Sequence, residues 1–152
     1  MKNQLFKEFL FQSAVMAMAC DGDIATSEIE ELKKIVANEI YFMGYDFEEP
    51  LKEYIQNIKA NGKIVINNYL QSIELLDLSD NQEVLLIEVL LRIIEADSDI
   101  QVSEIKFLQM AKAKLKLDEQ TLIIKFPNHI ELLLDIQNYG LEKEFTDEIK
   151  LN

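Results

Sequence analysis

The chain is poor in the residues that make crosslinks and turns. Its 152 residues include one cysteine, two prolines and four glycines, and no tryptophan. A single cysteine excludes an internal disulfide, which is typical of a protein in a reducing cytoplasm, and one cysteine with one histidine supplies a zinc site poorly. The scarcity of glycine and proline, beside abundant Leu, Ile, Glu and Lys, favours helices over strands joined by tight turns.

Basic residues are scarce as well. The chain carries 15 Lys and Arg against 28 Asp and Glu, which gives a net charge of −13. This balance disfavours nucleic acid as a partner, because phosphate binding needs a basic patch, and it disfavours an anionic membrane surface for the same reason. The predicted partner is therefore another protein, and whether the chain forms homo-oligomers is left open.

An apolar run near the beginning, Phe9 to Cys20, must be distinguished from a signal segment that ends in a lipid-acceptor cysteine. The run is too short to span a membrane, and Glu8 interrupts any positive leader. An equally apolar segment, Val84 to Ala96, lies in mid-chain, where it cannot act as a signal. We therefore predict a buried core helix with Cys20 inside it, no direct membrane insertion and a cytoplasmic location.

What the chain does contain is an acidic stretch of twelve residues that occurs twice, at 21–32 and at 97–108. Seven of the twelve positions (Asp, Asp, Ile, Ser, Glu, Ile, Leu) are identical at a constant offset of 76 residues. Each copy follows an apolar segment and precedes an amphipathic one. The pattern predicts an internal pseudo-two-fold repeat with halves at about 5–43 and 81–116, in which each acidic loop joins two helices.

Hydrophobic periodicity predicts an all-α domain of about seven to eight helices over 1–140, followed by a charged tail at 141–152. Glu88 and Arg92 are spaced for an i,i+4 ion pair, and Ile24 and Ile100 are expected to be buried beneath the loops. The predicted helices cover about 2–20, 27–43 with Gly44 as C-cap, 47–60, 64–76 after an Asn61-Gly62 break, 79–96, 103–116, 118–125 and 130–139.

The loops supply the candidate site residues. Carboxylates two residues apart can provide several of the six to eight oxygens that Ca²⁺ prefers, but the twelfth position is Leu32 or Leu108, so neither loop is an EF-hand. A complete shell would need both loops, water or a partner. The candidate ligands for a divalent cation are Asp21, Asp23, Glu28, Asp97, Asp99 and Glu104.

Helix capping explains many of the same residues without any ligand. Ser27 and Ser103 suit N-cap positions, and Glu28 and Glu104 then fall in the first helical turn, where the helix dipole favours anions. Capping, partner recognition and cation binding are not exclusive, and the sequence leaves all three open.

No catalytic residue or cofactor site is predicted. The only histidine, His129, follows Pro127 near a helix start and has no partner that the sequence reveals. A histidine in that position is more often exposed or adjacent to a cap than catalytic. No phosphate-binding loop or dinucleotide fingerprint occurs. We therefore expect a protein that is not an enzyme.

The run Ala-Cys-Asp-Gly-Asp-Ile-x-x-x-Glu from Ala19 to Glu28, together with the second Asp-x-Asp loop, resembles the TerB-like family. That family includes the tellurite-resistance protein TerB and the N-terminal region of certain membrane-anchored DnaJ-type co-chaperones. The resemblance covers about residues 5–116. Ser98 stands where the family has its second loop glycine, and the chain lacks the His-Pro-Asp signature of J-domains.

The resemblance implies an all-helical fold with both acidic loops on one shared surface. It further implies a protein-interaction or adaptor role in a stress response of the tellurite-resistance type, or association with a divalent cation of the Ca or Mn type, rather than catalysis.

Overall fold

The structure is a computed structural model, and it describes residues 3–20, 22, 24–96 and 99–133. Within these ranges the chain forms seven α-helices and three short 3₁₀ helices, with no strand. The all-α prediction is confirmed. The α-helices are α1 (Asn3–Ala19), α2 (Thr26–Asn38), α3 (Glu48–Ser72), α4 (Asp80–Glu95), α5 (Val102–Ala113), α6 (Glu119–Lys125) and α7 (Ile130–Leu133), and the 3₁₀ helices are Ile40–Phe42, Ile73–Leu76 and Pro127–His129.

Two predictions reach beyond the described residues. The last predicted helix, 130–139, is described only to Leu133, and the predicted tail at 141–152 lies wholly outside the described ranges. The internal repeat and the domain boundary at 140 stay predictions.

Helices α1 and α4 form the centre of the molecule. They make the largest contact between any two helices, and most of their side chains are buried. In α1 the residues from Ala14 to Ala19 are all completely buried, as are Leu10 and Phe11. Both helices had been predicted as apolar core elements because they lack a wide polar face. No helix in the described ranges is long and apolar enough to cross a membrane.

Helix α2 ends earlier than predicted. It stops at Asn38, and its C-cap is Glu39, whose amide donates to the Ile35 carbonyl. A short 3₁₀ helix, Ile40–Phe42, follows, and Gly44 with φ of 79° turns the chain after it. The prediction of Gly44 as the C-cap of this helix was therefore wrong, because the apolar spacing continues through the 3₁₀ turn beyond the end of α2.

Helix α3 joins two segments that were predicted as separate helices. The break falls where it was expected: Asn61 has φ −146° and ψ 40°, which is not helical. Helical structure continues on both sides, and the buried residues Ile58 and Ile66 anchor the two segments in the core. Asn61 and Gly62 therefore kink the helix rather than separating two elements.

A buried carboxylate fixes the turn that follows α5. Glu83, in the first turn of α4, is 2% exposed, and its carboxylate accepts hydrogen bonds from the backbone amides of Lys116 and Leu117 at 2.9–3.1 Å. Because these amides lie just beyond the end of α5, the contact ties the start of α4 to the connection between α5 and α6. Sequence reasoning had given Glu83 no role beyond the opening of its helix.

Candidate functional site

The first acidic loop is built on a backbone turn at the end of α1. Gly22 is buried with φ of 86°, and its amide donates to the Ala19 carbonyl at 3.0 Å. A side chain would be strained in that left-handed conformation, which accounts for the glycine. Asp21 and Asp23, on either side of Gly22, lie outside the described residues.

Glu28 and Glu104 occupy equivalent positions at the starts of α2 and α5. Each side chain is almost completely buried, with 1% exposed. Glu28 Oε1 accepts from the Ala25 amide at 3.0 Å, and Glu104 Oε1 accepts from the Gln101 amide at 2.9 Å. Both carboxylates therefore fold back onto the amide three residues earlier and satisfy a donor that the helix itself leaves unpaired.

This geometry corrects the prediction for the serines. The N-cap residues are Ala25 for α2 and Gln101 for α5, so Ser27 and Ser103 lie inside the first turn and are not N-caps. The sequence preference for serine at helix starts favoured the wrong residue by two positions. Each glutamate lies at the third helical position and reaches back to the amide of the N-cap residue, which is a different donor from the one that an N-cap hydroxyl would bind.

The two loops meet through Cys20. Its thiol is 1% exposed, as predicted, and Sγ lies 3.1 Å from the Ala17 carbonyl and 3.7 Å from the Ser103 carbonyl. Cys20 directly precedes the first loop, and Ser103 lies in the helical turn that follows the second. The contact therefore brings the beginning of one acidic loop beside the end of the other, across 83 residues of sequence.

The isoleucines of the loops pack less deeply than expected. Ile24 and Ile100 are each half-buried and contact the hydrophobic core. They join the loops to the core from its edge and are not completely buried there.

Three of the six predicted site residues lie within the described ranges, and they differ in burial. Glu28 and Glu104 are buried and used for capping, whereas Asp99 is exposed and accepts from Gln101 Nε2 at 2.9 Å. Asp21, Asp23 and Asp97 lie outside the described residues. Within the described ranges, no group of three or more His, Cys, Asp or Glu side chains is placed to hold a metal ion.

A histidine and a glutamate form a pair that the sequence did not reveal. His129 Nδ1 lies 2.9 Å from the carboxylate of Glu95 in the last turn of α4, and the imidazole ring meets Phe126 edge-on. The structure therefore supplies a partner for His129 that the sequence does not reveal. Glu95 belongs to the polar stripe of α4, but the 34 residues between the two side chains conceal the contact.

Two clefts open beside this pair. One, of about 340 Å³, extends from Glu95 past Ile100 of the second loop to the segment at 127–132. The other, of about 230 Å³, is lined by residues of α4 together with Phe126 and His129. The first of these clefts therefore adjoins the second acidic loop at Ile100, and its lining combines apolar side chains with the carboxylates of Glu95 and Glu131.

Two other polar residues of α4, Glu88 and Arg92, face α2 and the 3₁₀ helix that follows it. Arg92 Nη1 lies 2.6 Å from Glu39 and Nη2 lies 3.0 Å from Glu31, while the Tyr41 hydroxyl donates to Glu88 at 3.0 Å. Burial and the neighbouring Glu88 raise the pKa of Tyr41, so its hydroxyl stays protonated as a donor. The predicted Glu88–Arg92 pair is corrected: both side chains turn to partners across the helix interface.

Comparison with known proteins gives no match, whether with protein-family models, curated proteins or solved structures. The resemblance to the TerB-like family rests on the two loops alone and stays a prediction.

Proposed function

We propose that this chain is a non-enzymatic, TerB-like interaction module whose two acidic loops form one surface that binds a cationic segment of another protein. The observation that carries this proposal is the contact of Cys20 Sγ with the Ser103 carbonyl at 3.7 Å. Because it brings the loops together, carboxylates from both loops can act on one partner.

The buried glutamates support the same proposal. Glu28 and Glu104 each fix the helix start that follows a loop, and because both are buried they leave recognition to the aspartates. With a net charge of −13, the molecule attracts cationic partners over a long range. The adjoining cleft adds Ile100 and Ile130 as apolar contacts, which suits an amphipathic partner segment.

The cellular role follows from the resemblance. A TerB-like adaptor would act in a stress-response assembly, and the single buried cysteine suits a cytoplasmic location. His129 would then serve to hold the 127–133 segment against α4 through Glu95 rather than to react. A folded His129→Ala variant that lost a reproducible turnover would contradict the non-enzymatic assignment.

Peptide binding tests the interaction surface. The probe is a fluorescent amphipathic helix with lysines on one face and leucines on the other, beside a control peptide with glutamates in place of the lysines. The loop variant combines Asp23→Asn with Asp99→Asn, and the control variant combines Glu49→Gln with Glu53→Gln on exposed positions of α3. Both variants change the net charge equally.

The loop variant is expected to weaken binding of the lysine peptide by about fivefold to thirtyfold, since two surface ion pairs contribute roughly 1–2 kcal/mol together. The α3 variant should bind almost as well as the wild type. Equal losses in both variants would show attraction to charge in general and would contradict a surface at the loops.

Divalent-cation binding is the second candidate, and the proximity of the loops favours it, because neither loop supplies enough oxygen ligands alone. With Glu28 and Glu104 used for capping, the ligands would be Asp21, Asp23, Asp97 and Asp99. Thermal unfolding of the wild type and of Asp99→Asn, in EDTA and in millimolar Ca²⁺ or Mn²⁺, tests it.

Under the primary proposal the ion raises the wild-type Tm by only a few degrees. An ion that binds only the folded state, present at a concentration of 100 times its Kd, would instead stabilise the fold by about 2.7 kcal/mol. A large saturable increase that Asp99→Asn abolishes would therefore make cation binding the leading function.

A further inference from the structure

We infer that Asn61 is a site of spontaneous backbone modification, at which the side-chain amide is converted through a cyclic succinimide into aspartate and isoaspartate. The chain contains a single Asn-Gly pair, Asn61-Gly62, and the structure places it at the kink of α3. This inference is independent of the binding surface proposed above.

The chemistry requires the backbone nitrogen of the next residue to reach the asparagine side chain. The Gly62 nitrogen attacks Cγ of Asn61, a nitrogen–carbon bond forms, the bond from Cγ to Nδ2 breaks, and ammonia leaves with the amide proton. Water then opens the five-membered ring at either carbonyl. One opening yields aspartate, and the other yields isoaspartate, in which the main chain runs through the side-chain carbon.

A regular helix opposes the first step, because its amides are oriented along the axis toward carbonyls four residues earlier. Asn61 departs from that geometry. Its ψ of 40° differs by roughly 80° from the helical value of about −42°. The peptide unit that carries the Gly62 nitrogen is therefore turned out of the helical orientation. This is the nitrogen that must reach the Asn61 side chain in the reaction.

The neighbouring residues leave the reacting atoms accessible. Asn61 is exposed, and a cleft of about 430 Å³, lined by residues 58–64, admits water to the kink. Gly62 carries no side chain to obstruct its own nitrogen. Lys59 and Lys63 line the same cleft. Their positive charges favour loss of the proton from the Gly62 amide nitrogen, and they also favour the carboxylate of the product.

The modified backbone can be accommodated at this point. Isoaspartate adds one methylene group to the main chain and one negative charge, and the helical geometry is already interrupted there. Ile58 and Ile66 hold the two segments of α3 in the core independently of the kink. The modification should therefore alter the charge and shape of the exposed α3 surface without unfolding the molecule.

The test incubates the folded full-length chain in mildly alkaline buffer and follows each asparagine by peptide mapping and mass spectrometry. Asn68 is the internal control, because it is exposed on the same helix but has regular geometry and precedes Tyr69. Methylation by an isoaspartate-specific carboxyl methyltransferase separates the β-linked product from ordinary aspartate. Gly62→Ala is the matched variant, since it adds a side chain beside the attacking nitrogen.

We expect loss of the amide at Asn61, with methylatable product, while Asn68 keeps its amide and Gly62→Ala suppresses the conversion. The Tm of the converted protein should stay close to that of the starting material. Conversion of Asn68 as fast as Asn61, conversion unchanged in Gly62→Ala, or conversion only after unfolding in urea would each overturn the inference.

Discussion

Glu28 and Glu104 place a charged group where water hardly reaches it. Each is 1% exposed, and each accepts a hydrogen bond from the N-cap amide of its helix. Hydrogen bonds to charged groups contribute roughly 1.5–3 kcal/mol, and a buried donor left without its partner costs a similar amount. The helix dipole adds to the effect, because both carboxylates lie in a first turn.

Glu104→Ala should therefore lower the free energy of unfolding by about 1–3 kcal/mol, and Glu28→Ala by a similar amount. Urea denaturation followed by circular dichroism measures the change. Glu30→Ala, a substitution at an exposed position two residues further along α2, is the control and should change stability by less than about 0.5 kcal/mol. Equal effects of Glu28→Ala and Glu30→Ala would contradict the capping role.

The capping contact of Asp118 predicts how the stability of the protein depends on pH. Hydrogen bonds from the Thr121 side chain and backbone amide hold the pKa of Asp118 below its ordinary value of 3.8, and Asp118 Oδ1 lies 2.8 Å from the Thr121 nitrogen at the start of α6. A carboxyl with a lowered folded-state pKa stabilises the protein above its unfolded-state pKa. That stabilisation is lost as the pH falls through the folded value.

Asp118→Asn keeps a side-chain oxygen for capping but removes the charge. The wild type should thus unfold at a higher temperature than the variant at neutral pH, and the difference should vanish as the pH falls below about 3.8. Thermal unfolding at a series of pH values checks this. A difference that persists unchanged in acid would show that the charge of Asp118 is not responsible.

At the scale of elements, Arg92 connects α4 to α2 and to the C-cap residue of α2, Glu39. Its guanidinium reaches Glu31 and Glu39, and the three side chains are between 23% and 35% exposed. Solvent screens such pairs, so each contributes modestly. A planar guanidinium can bond two carboxylates at once, which the compact ammonium of lysine does poorly.

A double-mutant cycle distinguishes this network from the pairing that helical spacing suggests. We expect a coupling energy of about 0.3–1 kcal/mol between Arg92→Met and Glu39→Gln, and almost none between Arg92→Met and Glu88→Gln. Urea denaturation of the single and double variants supplies the values. A larger coupling for Glu88 than for Glu39 would restore the i,i+4 pair.

Among the contacts between elements, the one made by Glu83 has the largest predicted effect on stability. Its buried carboxylate accepts from two consecutive amides, those of Lys116 and Leu117. Glu83→Ala should cost about 2–4 kcal/mol in unfolding free energy, because these amides would lose a charged acceptor inside the fold. Asp80→Ala, at an exposed first-turn position of the same helix, is the control and should cost less than about 1 kcal/mol. Similar losses in both variants would argue against the Glu83 contact.

For the whole molecule, local patterns predicted the elements better than their contacts. Apolar segments at 9–20 and 84–96 indicated the central helices, because a helix buried on most faces lacks a polar side. The helices predicted to begin at about 79 and 118 do begin there, with Ser79 and Asp118 as N-caps that accept from the Gln82 and Thr121 amides. The position of the interruption at Asn61 was predicted because an Asn-Gly pair disfavours a continuous helix, although the structure shows a kink there rather than a break between two helices.

The candidate site is formed by contacts between residues far apart in the sequence, and local sequence patterns do not predict such contacts. Cys20 meets Ser103 over 83 residues, Arg92 meets Glu39 over 53 and His129 meets Glu95 over 34. Residue preference for serine also failed to locate the helix starts, since Ala25 and Gln101 are the N-caps and the carboxylates of Glu28 and Glu104 accept from their amides. The candidate ligands could be chosen from the sequence because they are acidic. The sequence does not show that Glu28 and Glu104 are buried whereas Asp99 is exposed.

The central claim is that both acidic loops form one binding surface, and amide chemical-shift mapping tests it most directly. The labelled protein is titrated with the lysine peptide, and the described loop amides are followed. The account predicts that Gly22 and Ile24 shift together with Ile100 and Gln101 at the same peptide concentration, while Gly62 does not move. Shifts confined to one loop, or found only away from both, would contradict a shared surface.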